Sequence, residues 1–341
     1  MAPQILYQPH ELAFRTQYAE LKERAGAAES FLPGTPGTLV KREGTGYAYW
    51  YRVYYPVPGR QAEQLVGREG DVDTLQNVQH QIEFAQWMAA QVRDLRKLQF
   101  QVADKGVAAV LVELRNRGIL SAGVTLVGTL RYMAWLNELG VKAVAARTQD
   151  IDLAARLKLT LAVPQPFLDA MSSTRLDFVP VPGMPSASPS TSVKQKGRDG
   201  LRVDVLAHGS AIGKSVAIPS LSWHAQTVPH YDYLLREPRP AAVLAGGHCI
   251  PLMLPQPERF VWHKLFSSTS RQGFHEKTEK DLMQAATLGA VLVEQHDEVL
   301  AESFGEAPAA LRGAAKKRLP ALRRALAAHP QALEQFEALL A

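Results

Sequence analysis

The stretch TQDIDLA, Thr148 to Ala154, places two aspartates on either side of one isoleucine in an otherwise apolar and neutral setting. Side chains alternate on a strand, so Asp150 and Asp152 point the same way while Ile151 points into a core. Two carboxylates that close raise each other's pKa unless a cation lies between them. Hard oxygen donors of this kind suit Mg2+, which keeps several waters and takes further ligands from substrate phosphates. A solvated loop edge can carry the same triplet, so its meaning depends on the surrounding chain.

Three neighbouring features bear on it. In VGTLRYMAW, 127–135, an apolar strand ends at Gly128-Thr129 directly before a helix. Glycine lets a backbone approach a ligand closely, and a helix N-terminus with a threonine hydroxyl suits a phosphate. In LRVDVL, 201–206, Asp204 is the one acid of a short apolar strand. If that strand lies beside the first, Asp204 completes a three-carboxylate cluster. The run ERFVWHKLFSSTSRQGFHEKTEKDLMQA, 258–285, reads as helical and brings Lys264, Arg271, Lys280 and Asp281 within reach of such a site.

The rest of the chain frames these motifs. Helical spacing covers 9–30, and a Pro/Gly-rich break follows. YAYWYRVYYP, 47–56, then a PGR turn and EQLVG predict an aromatic hairpin, read as a packed face rather than a base-stacking platform. An unbroken pattern predicts a long helix over 73–104. A second helix over 106–117 is closed by Gly118. Strand–helix–strand alternation begins at Val124. The Pro-, Ser- and Gly-rich segment 178–200 predicts a long mobile loop. Residues 258–293 read as helix with a break near Gly273. Ala/Leu-rich helices then carry Lys316, Lys317, Arg318, Arg323 and Arg324, either an RNA-facing patch or a solvated face. The expected organisation is an N-terminal helix, hairpin and long-helix region over 1–105, a catalytic core over 106–240 and a C-terminal helical region over 241–341.

Composition bounds the function. The chain has 341 residues, 46% of them hydrophobic, and no apolar run long enough to span a membrane. Its one cysteine, Cys249, excludes a disulfide framework and a cysteine-based zinc site. A soluble cytoplasmic protein is expected. The net charge of +5 suits an anionic substrate. GSAIGKS, 209–215, is not a P-loop, because the position that requires glycine is His208. The scattered histidines lack metal-binding helical spacing.

The order Gly128-Thr129, Asp150-Ile-Asp152, Asp204 resembles the nucleotidyltransferase superfamily related to DNA polymerase β. More narrowly, the VGT…Y…LG…T-x-DIDLA run and Pro257, Phe260, His263-Lys264-Leu265, Arg271, Lys277 and Lys280-Asp281 resemble a bacterial nucleotidyltransferase-like family, similar also to abortive-infection and toxin nucleotidyltransferases. The glycine motif is Gly-Thr here, where that superfamily more often has Gly-Gly or Gly-Ser. The resemblance implies an α+β fold, a mixed sheet with flanking helices. It implies transfer of a nucleoside monophosphate from an NTP to an acceptor with release of pyrophosphate. Two Mg2+ ions would be held by Asp150, Asp152 and Asp204, with Asp204 on the acceptor side. Gly128 and Thr129 would hold the β- and γ-phosphates. Lys264 would neutralise the triphosphate, with Arg271 or Lys280 in support and Asp281 as an orienting group. The expected acceptor is RNA, such as a tRNA 3′ end, with an antitoxin as a partner if the toxin resemblance holds. A protein side chain or small alcohol fits the same core, and a nucleotide- or RNA-binding module without catalysis is the remaining alternative.

Overall fold

A computed structural model describes residues 4–44, 46–144, 148–270, 275–295 and 299–341. It has the expected α+β architecture. The central seven-stranded sheet is mixed. Val124–Val127 pairs antiparallel with Asp150–Ala155, which pairs parallel with Arg202–His208. On its other side Arg202–His208 meets Ser192–Gln195, antiparallel, near its start and Trp223–Val228, parallel, near its end. Phe178–Pro180 and Ser215–Ile218 form the outer strands.

The segment 178–200, expected to be a mobile loop, is therefore partly tied into the sheet. Phe178–Pro180 and Ser192–Gln195 are hydrogen-bonded strands. They are too short for their own pattern to announce them, and a neighbouring strand supplies their pairing. The aromatic hairpin forms as expected, with Ala48–Val57 against Arg60–Arg68, and Thr38–Glu43 adds a third strand. Arg52 is fully buried there. It donates to the carbonyls of Pro33, Thr35 and Pro36 and so pins the Pro/Gly-rich loop onto the sheet.

The long helix runs Val72–Lys97, somewhat shorter than the expected span. The next runs Lys105–Asn116, and Gly118 beyond it takes a left-handed φ of +71°. Arg239–Ala245 and His248–Leu254 pair across a Gly246-Gly247 turn. Two helices follow, Pro257–Ser270 and His275–Gln295. The expected break at Gly273 lies outside the described residues.

The C-terminal helices buttress Pro257–Ser270. Trp262 is fully buried between Phe304 and Phe336, with ring centroids at 4.7 and 5.6 Å. Its indole donates to Ser303 Oγ at 2.8 Å. Burial of an aromatic on this scale makes truncation to alanine cost about 3–5 kcal/mol. Of the basic cluster near the C-terminus, Arg318 donates to Ser268, Lys316 to the Ala341 carbonyl and Arg323 to Glu337. At least these three charges hold helices together. One core cluster extends from Leu6 to Leu340. No described helix is long and apolar enough to cross a membrane.

Candidate active site

The site begins where Val124–Val127 turns into the helix Gly128–Glu138. Val127 is extended, and Gly128 makes the turn at φ +68°. Side chains rarely adopt that conformation. Space forbids one as well: a Cβ on Gly128 would lie 2.0 Å from Asp152 Oδ2. The glycine is thus what lets the Asp152 carboxylate rest against the start of this helix, where the helix dipole favours negative charge.

Register aligns the acids. Asp152 faces Val127 on one neighbouring strand and Asp204 on the other, while Asp150 faces Arg202. Alternation puts Asp150, Asp152, Arg202 and Asp204 on one face of the sheet. The intervening Ile151 and Val203 are fully buried, as the sequence pattern requires. Asp150 is exposed, and Asp152 and Asp204 are half-buried. Asp204 is already engaged: Arg202 Nε lies 2.8 and 3.1 Å from its two oxygens and Arg202 Nη2 donates to Ser192 Oγ at 2.9 Å. Carboxylates side by side on parallel strands are hard oxygen donors of the type Mg2+ takes. In chemistry they fit such a cation, with Arg202 its competitor at Asp204. Among the described residues no three His, Cys, Asp or Glu side chains already stand grouped to hold one.

Above this corner lies a pocket of about 460 Å3. Gly128, Arg131, Asp152, Tyr231, Phe260 and Lys264 line it, among others. Residues more than a hundred positions apart therefore meet at one place. Lys264 is buried, with its Nζ 2.5 Å from Asp281 Oδ1 and Asp281 2% exposed. Nearby, burial pushes the His263 imidazole down to about 3, and the charges of Arg131 and Lys264 act in the same direction.

The pocket brings together Gly128, Asp152 and Lys264, and the Asp281 side chain grips Lys264. Thr129, expected at the phosphates, is buried and is not among the pocket's lining residues. Lys280 lines a different pocket, with Tyr132, Met283 and Gln284. Arg271 lies outside the described residues. GSAIGKS does not open a helix, as a P-loop must, because it leads into the strand Ser215–Ile218. Two residues of this corner had gone unread: Arg131 and Arg202. Arg131 could have been found as the single charge in the apolar helical run TLRYMAWL.

A model of a nucleotidyltransferase family matches residues 105–308, more than half of the chain. The chain belongs to that family, whose activity is nucleotidyl transfer. The match spans the Gly128 junction, both aspartate strands and the Lys264–Asp281 pair. Among solved structures, the chain is similar to the crystal structure of an antigenic nucleotidyltransferase-like protein from Paracoccidioides brasiliensis. The identity is 14%, the coverage 64% of this chain and 92% of that one, and the TM-score 0.33. No curated protein matches the chain.

Proposed function

We propose that the protein is a Mg2+-dependent nucleotidyltransferase of the cytoplasm that moves a nucleoside monophosphate from an NTP onto a hydroxyl of RNA. One observation carries this reading: Gly128, Asp152 and Lys264, from three distant segments, line one pocket. The acceptor oxygen attacks the α-phosphorus, the bond from that phosphorus to the bridging oxygen breaks, and pyrophosphate leaves. Asp204 takes the hydroxyl proton. Gly128 leaves room for the phosphates at the helix start, where backbone N–H groups point outward. Lys264, held in place by Asp281, neutralises negative charge that builds on the leaving group. Asp150, Asp152 and Asp204 would hold Mg2+, which lowers the pKa of the acceptor hydroxyl and stabilises the leaving pyrophosphate.

The net charge of +5 supports an RNA acceptor, and a tRNA 3′ end is the form proposed. The toxin resemblance adds the proposal of a cognate antitoxin. The test is incubation with Mg2+, each α-labelled NTP, total cellular RNA and a protein extract. Label in RNA is the expected result. Label in protein alone overturns the acceptor, and NTP binding with no label anywhere overturns the catalytic reading in favour of a binding module.

A further inference from the structure

Arg131 is the least explained group in the pocket. It sits one turn into the Gly128 helix and is fully buried. No hydrogen-bond partner meets Nε, Nη1 or Nη2 among the described residues. Its guanidinium lies 3.6 Å from the centroid of the Phe260 ring. The Lys264 ammonium lies 5.2 Å from the same centroid, so one aromatic ring carries two cations. Lys264 has Asp281 as counter-ion. Arg131 forms no ion pair of its own among the described residues.

A ring face offsets part of the charge but satisfies none of the five N–H donors. Guanidinium groups stay protonated, so burial does not discharge this one. A buried charge without hydrogen bonds destabilises a fold unless something else offsets it. Arg131 lines the same pocket as Gly128, Asp152 and Lys264. The planar fork of a guanidinium matches two oxygens of a phosphate.

We infer that Arg131 is a binding residue for the phosphate chain of the NTP, an anchor beneath the pocket that is left unsatisfied until the substrate enters. The inference rests on the nucleotidyl-transfer reading of this site and names a residue for it. It has a two-sided consequence. The guanidinium weakens the empty protein and strengthens the loaded one, so its removal moves the two states in opposite directions.

The test compares wild type, Arg131→Met and Arg131→Lys by thermal melting and calorimetry. The probes are magnesium pyrophosphate, a non-hydrolysable NTP and a short RNA with a 5′ hydroxyl. Arg131→Met is expected to melt higher than wild type when empty. It is expected to bind pyrophosphate and the NTP analogue about tenfold to a hundredfold more weakly, the loss that follows when hydrogen bonds to a charged group are removed. RNA affinity should stay unchanged, and Arg131→Lys should restore part of the lost affinity. Arg131→Met with wild-type pyrophosphate affinity overturns the inference and leaves the transfer reading untouched. Weakening of RNA alone assigns Arg131 to the acceptor and overturns it too. Failure of both variants to fold makes the guanidinium a structural prop, which also overturns it. Wild-type protein that binds neither pyrophosphate nor the NTP analogue sinks the inference and the transfer reading together.

Discussion

The carboxylate of Asp152 rests so closely against Gly128 that a Cβ on the glycine would stand 2.0 Å from Asp152 Oδ2. Two elements on which the proposed chemistry rests, a helix start and an acid on the neighbouring strand, are thus one packing unit. Gly128→Ala combines that clash with a left-handed φ of +68°. Strain of this kind costs about 1–3 kcal/mol. The variant should unfold at lower denaturant and lose transfer activity together. A variant as stable and as active as wild type would mean that the contact is incidental.

Lys264 and Asp281 form a buried ion pair, 10% and 2% exposed at their side chains. Removing one member leaves the other charged in a poor solvent. Lys264→Met and Asp281→Leu should each lose about 3–5 kcal/mol in urea unfolding. The double variant should recover much of that loss, because the stranded charge is gone. Transfer should be lost in every variant that lacks Lys264. Additive single losses would show that the two residues do not act as a pair.

Acid should destabilise the fold before most carboxylates titrate. His263 is held down to about 3 chiefly by burial, and His10 to about 4, again chiefly by burial. An unfolded histidine titrates near 6.5. Above that value both states are neutral and the stabilisation is complete. Below it the unfolded chain takes up protons that the folded chain refuses, so stability falls as pH drops from about 6.5 towards these depressed values. His263 alone should account for a loss of about 3 kcal/mol between pH 6.5 and pH 4. Melting curves of wild type and His263→Gln should therefore converge as pH falls. Parallel curves across this range would contradict the assignment.

Much of this corner was legible in the sequence because its signals are local. Strand alternation fixes the shared face of Asp150 and Asp152. Gly128 marks the strand-to-helix turn, and the apolar run around Asp204 marks a core strand. What escaped depends on distant partners. Ser192–Gln195 is a strand because Arg202–His208 offers an edge, and Phe178–Pro180 because Ser192–Gln195 then offers the next. Arg202 engages Asp204 through a two-residue step visible only once that strand is extended. Lys280 and Lys264 shared one helical reading, yet the separate helices Pro257–Ser270 and His275–Gln295 send them to different pockets.

The central claim is that Asp152 serves transfer rather than folding. The direct measurement is release of pyrophosphate and appearance of acceptor-bound label from α-labelled NTP and Mg2+, with wild type and Asp152→Asn side by side. The account predicts a fall of about a hundredfold or more, the scale of losing a principal charge-stabilising group. The melting temperature should stay within about 2 °C of wild type, as expected for a near-isosteric change in a chain of this size. Wild-type transfer by a folded Asp152→Asn protein would contradict it.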